Sequence, residues 1–168
     1  MSAVIRNATA ADADAIGTLA REFQAYLRAL GDQTHFQFTA ETYLRDGFGP
    51  NPAFAGLVAE RDGRVIGYLL YHFGYDTDRA MRLMHVIDLY VHASQRRQGV
   101  GEALMRKAAE ICREAGGREL IWSVFSPNTL AFQFYEHLGA KRIKALEFMS
   151  WPVPGREALG ACGISPRE

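Results

Sequence analysis

The residues best placed to do chemistry lie in one stretch. A β-branched and aromatic run, His85-Val-Ile-Asp-Leu-Tyr-Val91, leads through a short polar link into Arg96-Arg-Gln-Gly-Val-Gly101. Such a run favours a strand. After it Val100, Leu104, Ala108, Ile111 and Ala115 recur at three- and four-residue steps, and Gly116-Gly117 supplies a left-handed stop. That is the pattern of an amphipathic helix and its C-terminus. Two glycines and two arginines therefore open a helix directly after a strand. The unpaired amides and partial positive charge of a first helical turn attract an anion, and glycine lets a phosphate approach the backbone. Arg96 and Arg97 add formal charge of the kind that suits phosphate. The same residues also fit a plain βα turn with solvated arginines. Two better-known phosphate loops are excluded, because there is no Gly-Lys-Ser/Thr and no third glycine of the dinucleotide fingerprint.

Other catalytic groupings are missing. No Ser/His/Asp or Cys/His arrangement stands out. His35, His72, His85, His92 and His137 show neither an i,i+4 pair nor a Cys/His cluster, so no metal site is expected. Cys112 falls within the helical run and reads as a core thiol, while Cys162 lies near the end of the chain. Two cysteines do not make a disulfide framework.

Composition sets the frame. The chain has 168 residues, 48% hydrophobic and 23% charged, as expected of one globular domain with a full core. Lysine plus arginine and aspartate plus glutamate number 19 each, a balance without the basic footprint that nucleic acid requires. No apolar run is long enough to span a bilayer, and the N-terminus lacks the order of a signal peptide, so membrane binding is not expected and a cytoplasmic location is.

The elements that must position this stretch are legible in outline. Residues 3–6 read as a first strand. Thr9-Ala-Ala-Asp12 is close to a capping box, and Ile16, Leu19, Ala20, Phe23, Leu27 and Leu30 then keep one helical face to Gly31. A loop over 32–38 precedes a short second helix over 39–45. Residues 53–60 and 64–73 read as strands joined at Asp62-Gly63, a tight hairpin turn. A polar turn over 74–80 leads to a strand over 81–91. Beyond the central helix, residues 120–124 read as a strand. Pro127 and Asn128 open a last helix with Leu130, Ala131, Phe134 and Leu138 facing inward, and residues 141–152 read as a final strand or hairpin. One domain is expected, with its core over 3–152 and an irregular tail over 153–168.

At this point the chain resembles the GNAT superfamily of N-acetyltransferases. The family's signature, Arg/Gln-x-x-Gly-x-Gly/Ala at a strand-to-helix turn, is matched by Arg96-Arg97-Gln98-Gly99-Val100-Gly101, and its later block by Asn128, Phe134-Tyr135 and Leu138-Gly139-Ala140. Tyr43-Leu-Arg-Asp-Gly-Phe-Gly-Pro50, Leu57-Val-Ala-Glu60, Gly67-Tyr68 to Phe73, Tyr75-Asp76 and Asp88-Leu-Tyr-Val91 look like the diamine (spermidine/spermine-type) branch. The resemblance implies an α/β (α+β) GNAT fold, with a mixed, mostly antiparallel sheet of six to seven strands flanked by about four helices. It implies acetyl-CoA as co-substrate, no metal, a small-molecule amine acceptor and a homodimer with the Trp151 region near its interface.

Residue by residue, the resemblance gives Leu89, Tyr90 and Val91 as backbone partners of the pantetheine arm. Arg96, Arg97, Gln98, Gly99, Val100, Gly101 and Glu102 match the pyrophosphate turn, with Glu102 acting through its amide. Asn128 matches the asparagine that bonds the cofactor arm, and Tyr135 the tyrosine near the sulfur that serves as general acid. A phenol with a pKa near ~10 can give a proton to a thiolate. The acceptor ammonium, pKa near ~10.4, must first lose a proton. The branch carries Glu-Asp at this point, where the present chain has Ile87-Asp88. Asp88, on the same strand face as Tyr90 by alternation, is therefore the expected base or orienting group, with His85 and His92 flanking it.

The acceptor stays open. Acidic residues available to a polyamine are Asp32, Glu41, Asp76, Asp78 and Asp88, but the end of the first helix reads Tyr26-Leu-Arg-Ala-Leu-Gly31, where Arg28 would repel a polycation. An amino-acid-like amine competes with a polyamine. The alternatives are a protein N-terminal or lysine acetyltransferase and a non-catalytic acyl-CoA sensor.

Overall fold

The computed structural model describes residues 3–151 and 153. Five strands form one sheet in the order β1-β2-β3-β4-β5: β1 Val4–Asn7, β2 Ala55–Arg61, β3 Arg64–Asp76, β4 Met81–Val91 and β5 Gly117–Ile121. The first three pairings are antiparallel and the last, β4 with β5, is parallel. Four helices cover the sheet: α1 Ala13–Ala29, α2 Ala40–Phe48, α3 Val100–Glu114 and α4 Thr129–His137.

The strand alternation divides the core into two layers. On one face Leu57, Leu69, Met84, Val86 and the α3 residues Leu104 and Ala108 pack together. On the other, Val58, Tyr68, Leu70 and Tyr90 meet Ile16, Leu19 and Ala20 of α1 and Tyr43 of α2. The start of α1 follows from local chemistry. Asp12 accepts from the Thr9 N–H at 2.8 Å and from the Thr9 hydroxyl at 2.9 Å, and the Arg6 guanidinium clamps both its oxygens at 2.8 Å. Asp62 and Gly63, at φ 50° and 72°, make the β2–β3 turn in the left-handed geometry that matches strand twist.

Five expectations change. The sheet has five strands among the described residues, not six or seven. Residues 141–151 run off it with Phe148, Met149 and Trp151 at least 85% exposed, because among the described residues no strand lies beside them to complete a ladder. The β3 strand runs on to Asp76, three residues beyond Phe73, so that the turn covers only 77–80. The last strand, β5, is Gly117–Ile121 rather than 120–124. Its pairing with β4 ends at His85 and Ile121. Leu130 on α4 is exposed rather than inward. The expected tail lies, from residue 154 onward, outside the described residues, as does Cys162; Cys112 is buried as a core thiol.

Candidate active site

The site arises where two strands part. Leu70 of β3 pairs with Asp88 of β4, but Tyr71 pairs with Val86, so Ile87 is an extra residue, a β-bulge. At the same level the parallel pairing with β5 stops. Beyond His85 the outer edge of β4 is no longer bonded to β5, and a cavity of about 360 Å³ opens there. Asp88, Leu89, Trp122, Asn128 and Tyr135 line it, together with Phe23 and Leu27 of α1. Trp122, Ser123 and Val124, which read as strand in the sequence, form its wall.

Asp88 is enclosed by protein except towards the cavity. Burial pushes its pKa up to about 6, against the opposing pull of a hydrogen bond from the Tyr68 hydroxyl at 2.9 Å. Its carboxylate thus titrates close to neutrality, where a general base is most useful. Tyr135 comes from α4 and packs its ring against Trp122, 4.7 Å between centroids, and Phe134, 5.0 Å. Burial foremost, and then the Asp88 charge, raise its pKa well above that of an ordinary phenol. Tyr135 is therefore held protonated in the same cavity as a carboxylate poised to accept a proton.

The strand-to-helix turn is built as the spacing predicts. Gly99 sits at φ 76°, a conformation that other residues adopt at a cost, and forms the N-cap of α3 without any side-chain cap bond. The first-turn amides of α3 thus have no side-chain acceptor. The Glu102 carboxylate is engaged by Arg106 at 2.6 Å, which leaves its amide as the group available to an anion. Gly101 brings α3 close to α4, since a Cβ there would stand 3.2 Å from the Phe134 ring. The two arginines differ. Arg97 is exposed at the tip of the turn, at φ 58°. Arg96 points inward, donates from Nε to the Val91 carbonyl at 3.0 Å, and lies over the rings of Tyr26 and Tyr90 at 5.0 and 5.2 Å.

Leu89, Tyr90 and Val91 form the end of β4. Leu89 reaches the cavity, while Tyr90 is turned to the α1 layer, where its hydroxyl points to Glu22. Asn128 caps α4: its Oδ1 accepts from the Ala131 N–H at 3.2 Å and from the Tyr26 hydroxyl at 2.8 Å. Its Nδ2 makes no hydrogen bond among the described residues. The structure thus brings Asp88, Leu89, Asn128 and Tyr135 to one cavity and sets 96–102 at a turn of their own. His85 and His92 do not line the cavity. His85 is paired with His72, Nδ1 to Nε2 at 2.9 Å, and His92 accepts from the Ser94 N–H.

Sequence reasoning gave no role at the site to Tyr68, Tyr26 or Arg61. Tyr68 stands in an apolar run with no polar signal beside it. Tyr26 is one of several aromatics on an amphipathic helix. Arg61 of β2 donates from Nη1 to Gln95 and Gln98 at 2.6 Å each and so braces the turn, a contact across more than thirty residues that spacing cannot foretell. Among the described residues no group of three or more His, Cys, Asp or Glu is arranged to hold a metal, and no helix is long and apolar enough to cross a membrane.

Comparison with known proteins agrees with this geometry. Residues 19–140 match the acetyltransferase (GNAT) family. The chain belongs to that family. It is 34% identical over 152 residues to a thialysine N-epsilon-acetyltransferase of Bos taurus, covering 86% of this chain and 87% of the relative. A spermidine/spermine N(1)-acetyltransferase-like protein 1 of Homo sapiens is 27% identical over 85% of this chain, which corresponds to 21% of that longer protein. Among solved structures, an integron cassette protein from the mobile metagenome of V. cholerae superposes with a TM-score of 0.76 at 25% identity, covering 95% of this chain and 98% of that one. As a GNAT protein with such relatives, the chain is an N-acetyltransferase with the GNAT fold.

Proposed function

We propose that this enzyme transfers the acetyl group of acetyl-CoA to the primary amine of a small molecule by direct attack within a ternary complex. One observation carries the reading: Asp88, titrating near 6, and Tyr135, held protonated, face the same cavity at the point where β4 and β5 part. The residues present fit the co-substrate. Among the described residues the edge of β4 beyond His85 is free of β5, the α3 amides lack a side-chain cap acceptor, and the Asn128 Nδ2 is unpartnered beside the cavity. Leu89, Tyr90 and Val91 would hold the pantetheine arm, and the 96–102 turn the pyrophosphate, with Arg96 contributing through its backbone. Bound there, acetyl-CoA supplies an activated thioester carbonyl. Asp88 takes a proton from the acceptor ammonium, directly or through water, and the Tyr135 hydroxyl holds a proton for the departing sulfur.

The acceptor we infer is an amino-acid-like amine in preference to a long polycation. Arg28 follows the cavity-lining Leu27 on α1, and a thialysine acetyltransferase is among the relatives. The test is thiol release from acetyl-CoA across polyamines, short diamines, lysine analogues, amino acids and peptides, with wild type and Tyr135→Phe. Saturable turnover on one small amine, lost in the variant, is expected. Silence on every small amine with acetyl-CoA binding retained would transfer the assignment to a protein acceptor or a non-catalytic sensor.

We further infer a homodimer. Ile143, Leu146, Phe148, Met149, Trp151 and Val153 form an apolar segment at least 54% exposed, and the outer edge of β5 is unpaired among the described residues. A second copy of the chain offers both surfaces what each lacks.

A further inference from the structure

The Tyr26 hydroxyl spans 102 residues of sequence to reach the N-cap of α4. The atom it meets must be oxygen, because the same atom accepts from the Ala131 N–H, and a backbone amide can only donate. The orientation of the Asn128 amide is thus decided by bonding partners. With two donors on Oδ1, the Nδ2 group is directed away from both α1 and the α4 backbone. Asn128 is 7% exposed and borders the cavity, so that NH₂ is the group Asn128 has left to present to it. The cap bond alone would leave the side chain held at a single point, free to turn about it. The bond from α1 is the second point.

Tyr26 has another contact. Its ring lies under the Arg96 guanidinium at 5.0 Å, and Arg96 in turn holds the Val91 carbonyl at 3.0 Å, at the end of the strand that leads into the 96–101 turn. One side chain of α1 therefore touches the supports of both places where the co-substrate would be held. Phe23 and Leu27 of the same helix line the cavity from the other side.

We propose that Tyr26 is a positioning residue for the acetyl-CoA arm: its hydroxyl fixes Asn128 so that Nδ2 faces the cavity and donates to a carbonyl of the bound arm. The proposal rests on the acetyl-CoA reading above and adds to it a residue outside the family signature. Removing the hydroxyl leaves Oδ1 with its cap bond and removes the second constraint, while the ring and its contact with Arg96 stay. The change should appear in binding of the arm and not in the chemical step, since Tyr26 touches neither Asp88 nor Tyr135 among the hydrogen bonds of the site.

The experiment is calorimetric titration of wild type, Tyr26→Phe, Asn128→Ala and the double variant with CoA itself, alongside thermal melts and steady-state kinetics. We expect Tyr26→Phe to weaken CoA binding by about tenfold, the scale of one well-placed hydrogen bond. The KM for acetyl-CoA should rise in parallel, with kcat at saturation within about twofold of wild type. In the Asn128→Ala background, Tyr26→Phe should add nothing, because both changes remove the same donor from the arm. Unchanged CoA affinity in Tyr26→Phe, or losses that add in the double variant, would overturn the assignment while wild-type binding keeps the acetyl-CoA reading intact. A wild type that binds no CoA would overturn both.

Discussion

Tyr68 and Asp88 form a cross-strand pair on one sheet face: the Tyr68 hydroxyl, from β3, donates to the Asp88 carboxylate, on β4, at 2.9 Å. The bulge at Ile87 makes this possible, since it returns Asp88 to the face shared by Tyr68 and Tyr90 after Val86 has faced the α3 layer. Burial raises the Asp88 pKa to about 6, and the bond from Tyr68 holds it back from rising further. For a base that must be ionised to act, kcat/KM should fall as pH drops through about 6. Tyr68→Phe removes the bond that stabilises the carboxylate, so that acid limb should move to higher pH. A pH–rate profile of both proteins checks this, and an acid limb that stays in place or moves down would show that Asp88 is not the titrating base.

The same carboxylate burdens the fold. The pKa of Asp88 is higher in the folded chain, about 6, than its ordinary 3.8. Its contribution is therefore favourable below about 4, and is lost as pH rises through about 6. At pH 8 the ionised, buried group costs up to about 3 kcal/mol relative to a neutral isostere. Asp88→Asn keeps an acceptor for Tyr68 and should melt higher than wild type at pH 8, with the gap closing towards pH 4, while its turnover falls sharply. Thermal melts at the two pH values, with an activity assay, test the trade.

Tyr135 offers a sharper separation of roles. Its phenol is held protonated, and its ring is already packed against Trp122 and Phe134 without needing the hydroxyl. Tyr135→Phe should lower kcat by about 100-fold or more, the scale of a lost general acid, with little change in CoA affinity. An unchanged kcat would remove Tyr135 from the proton inventory.

How far the sequence foretold this depends on the kind of contact. The strand Met81–Val91 and the α3 helix were legible because each carries its own period, and Gly99 because a left-handed N-cap leaves a glycine. Asp88 and Tyr135 could be marked by chemistry and resemblance, and the fold brings them to one cavity. The limits of β5 were not legible: Trp122 and Val124 look like strand residues, yet they lie where the partner strand has turned away. The bulge at Ile87 leaves no glycine as a signal. Tyr68, Tyr26 and Arg61 act through partners 20 to 102 residues distant, and no local pattern reports such bonds. The segment after residue 140 reads as a strand or hairpin, but a strand needs a neighbour, and the described residues supply none.

That segment leads to a prediction about assembly. If a second copy covers Phe148 and Trp151, 85% and 91% exposed in the single chain, the protein should sediment as a dimer at micromolar concentration. Phe148→Glu combined with Trp151→Glu should shift it to monomer, because a carboxylate buried in an apolar interface is strongly unfavourable. Wild type that remains monomeric across the accessible concentration range would refute the dimer.

The Arg6–Asp12 clamp sets the acid limit of the fold. Asp12 is 6% exposed and joins β1 to the start of α1, and its hydrogen bonds with Arg6 lower its pKa from 3.8 to about 2. A carboxylate whose pKa is depressed on folding adds stability above its unfolded value and loses it as pH falls through the folded one. The contribution, at most about 2 kcal/mol, is therefore complete above about pH 4 and disappears towards pH 2. Asp12→Asn keeps the size of the side chain but leaves the Arg6 guanidinium with Glu60 as its one carboxylate partner among the described residues and weakens the return bond to Thr9. It should lower stability at pH 7 by about 2 kcal/mol and have little effect near pH 2. Urea unfolding of both proteins from pH 7 to pH 2 would measure this. A difference that stays constant over that range would mean that the side chain's shape, and not its charge, holds the start of α1 in place.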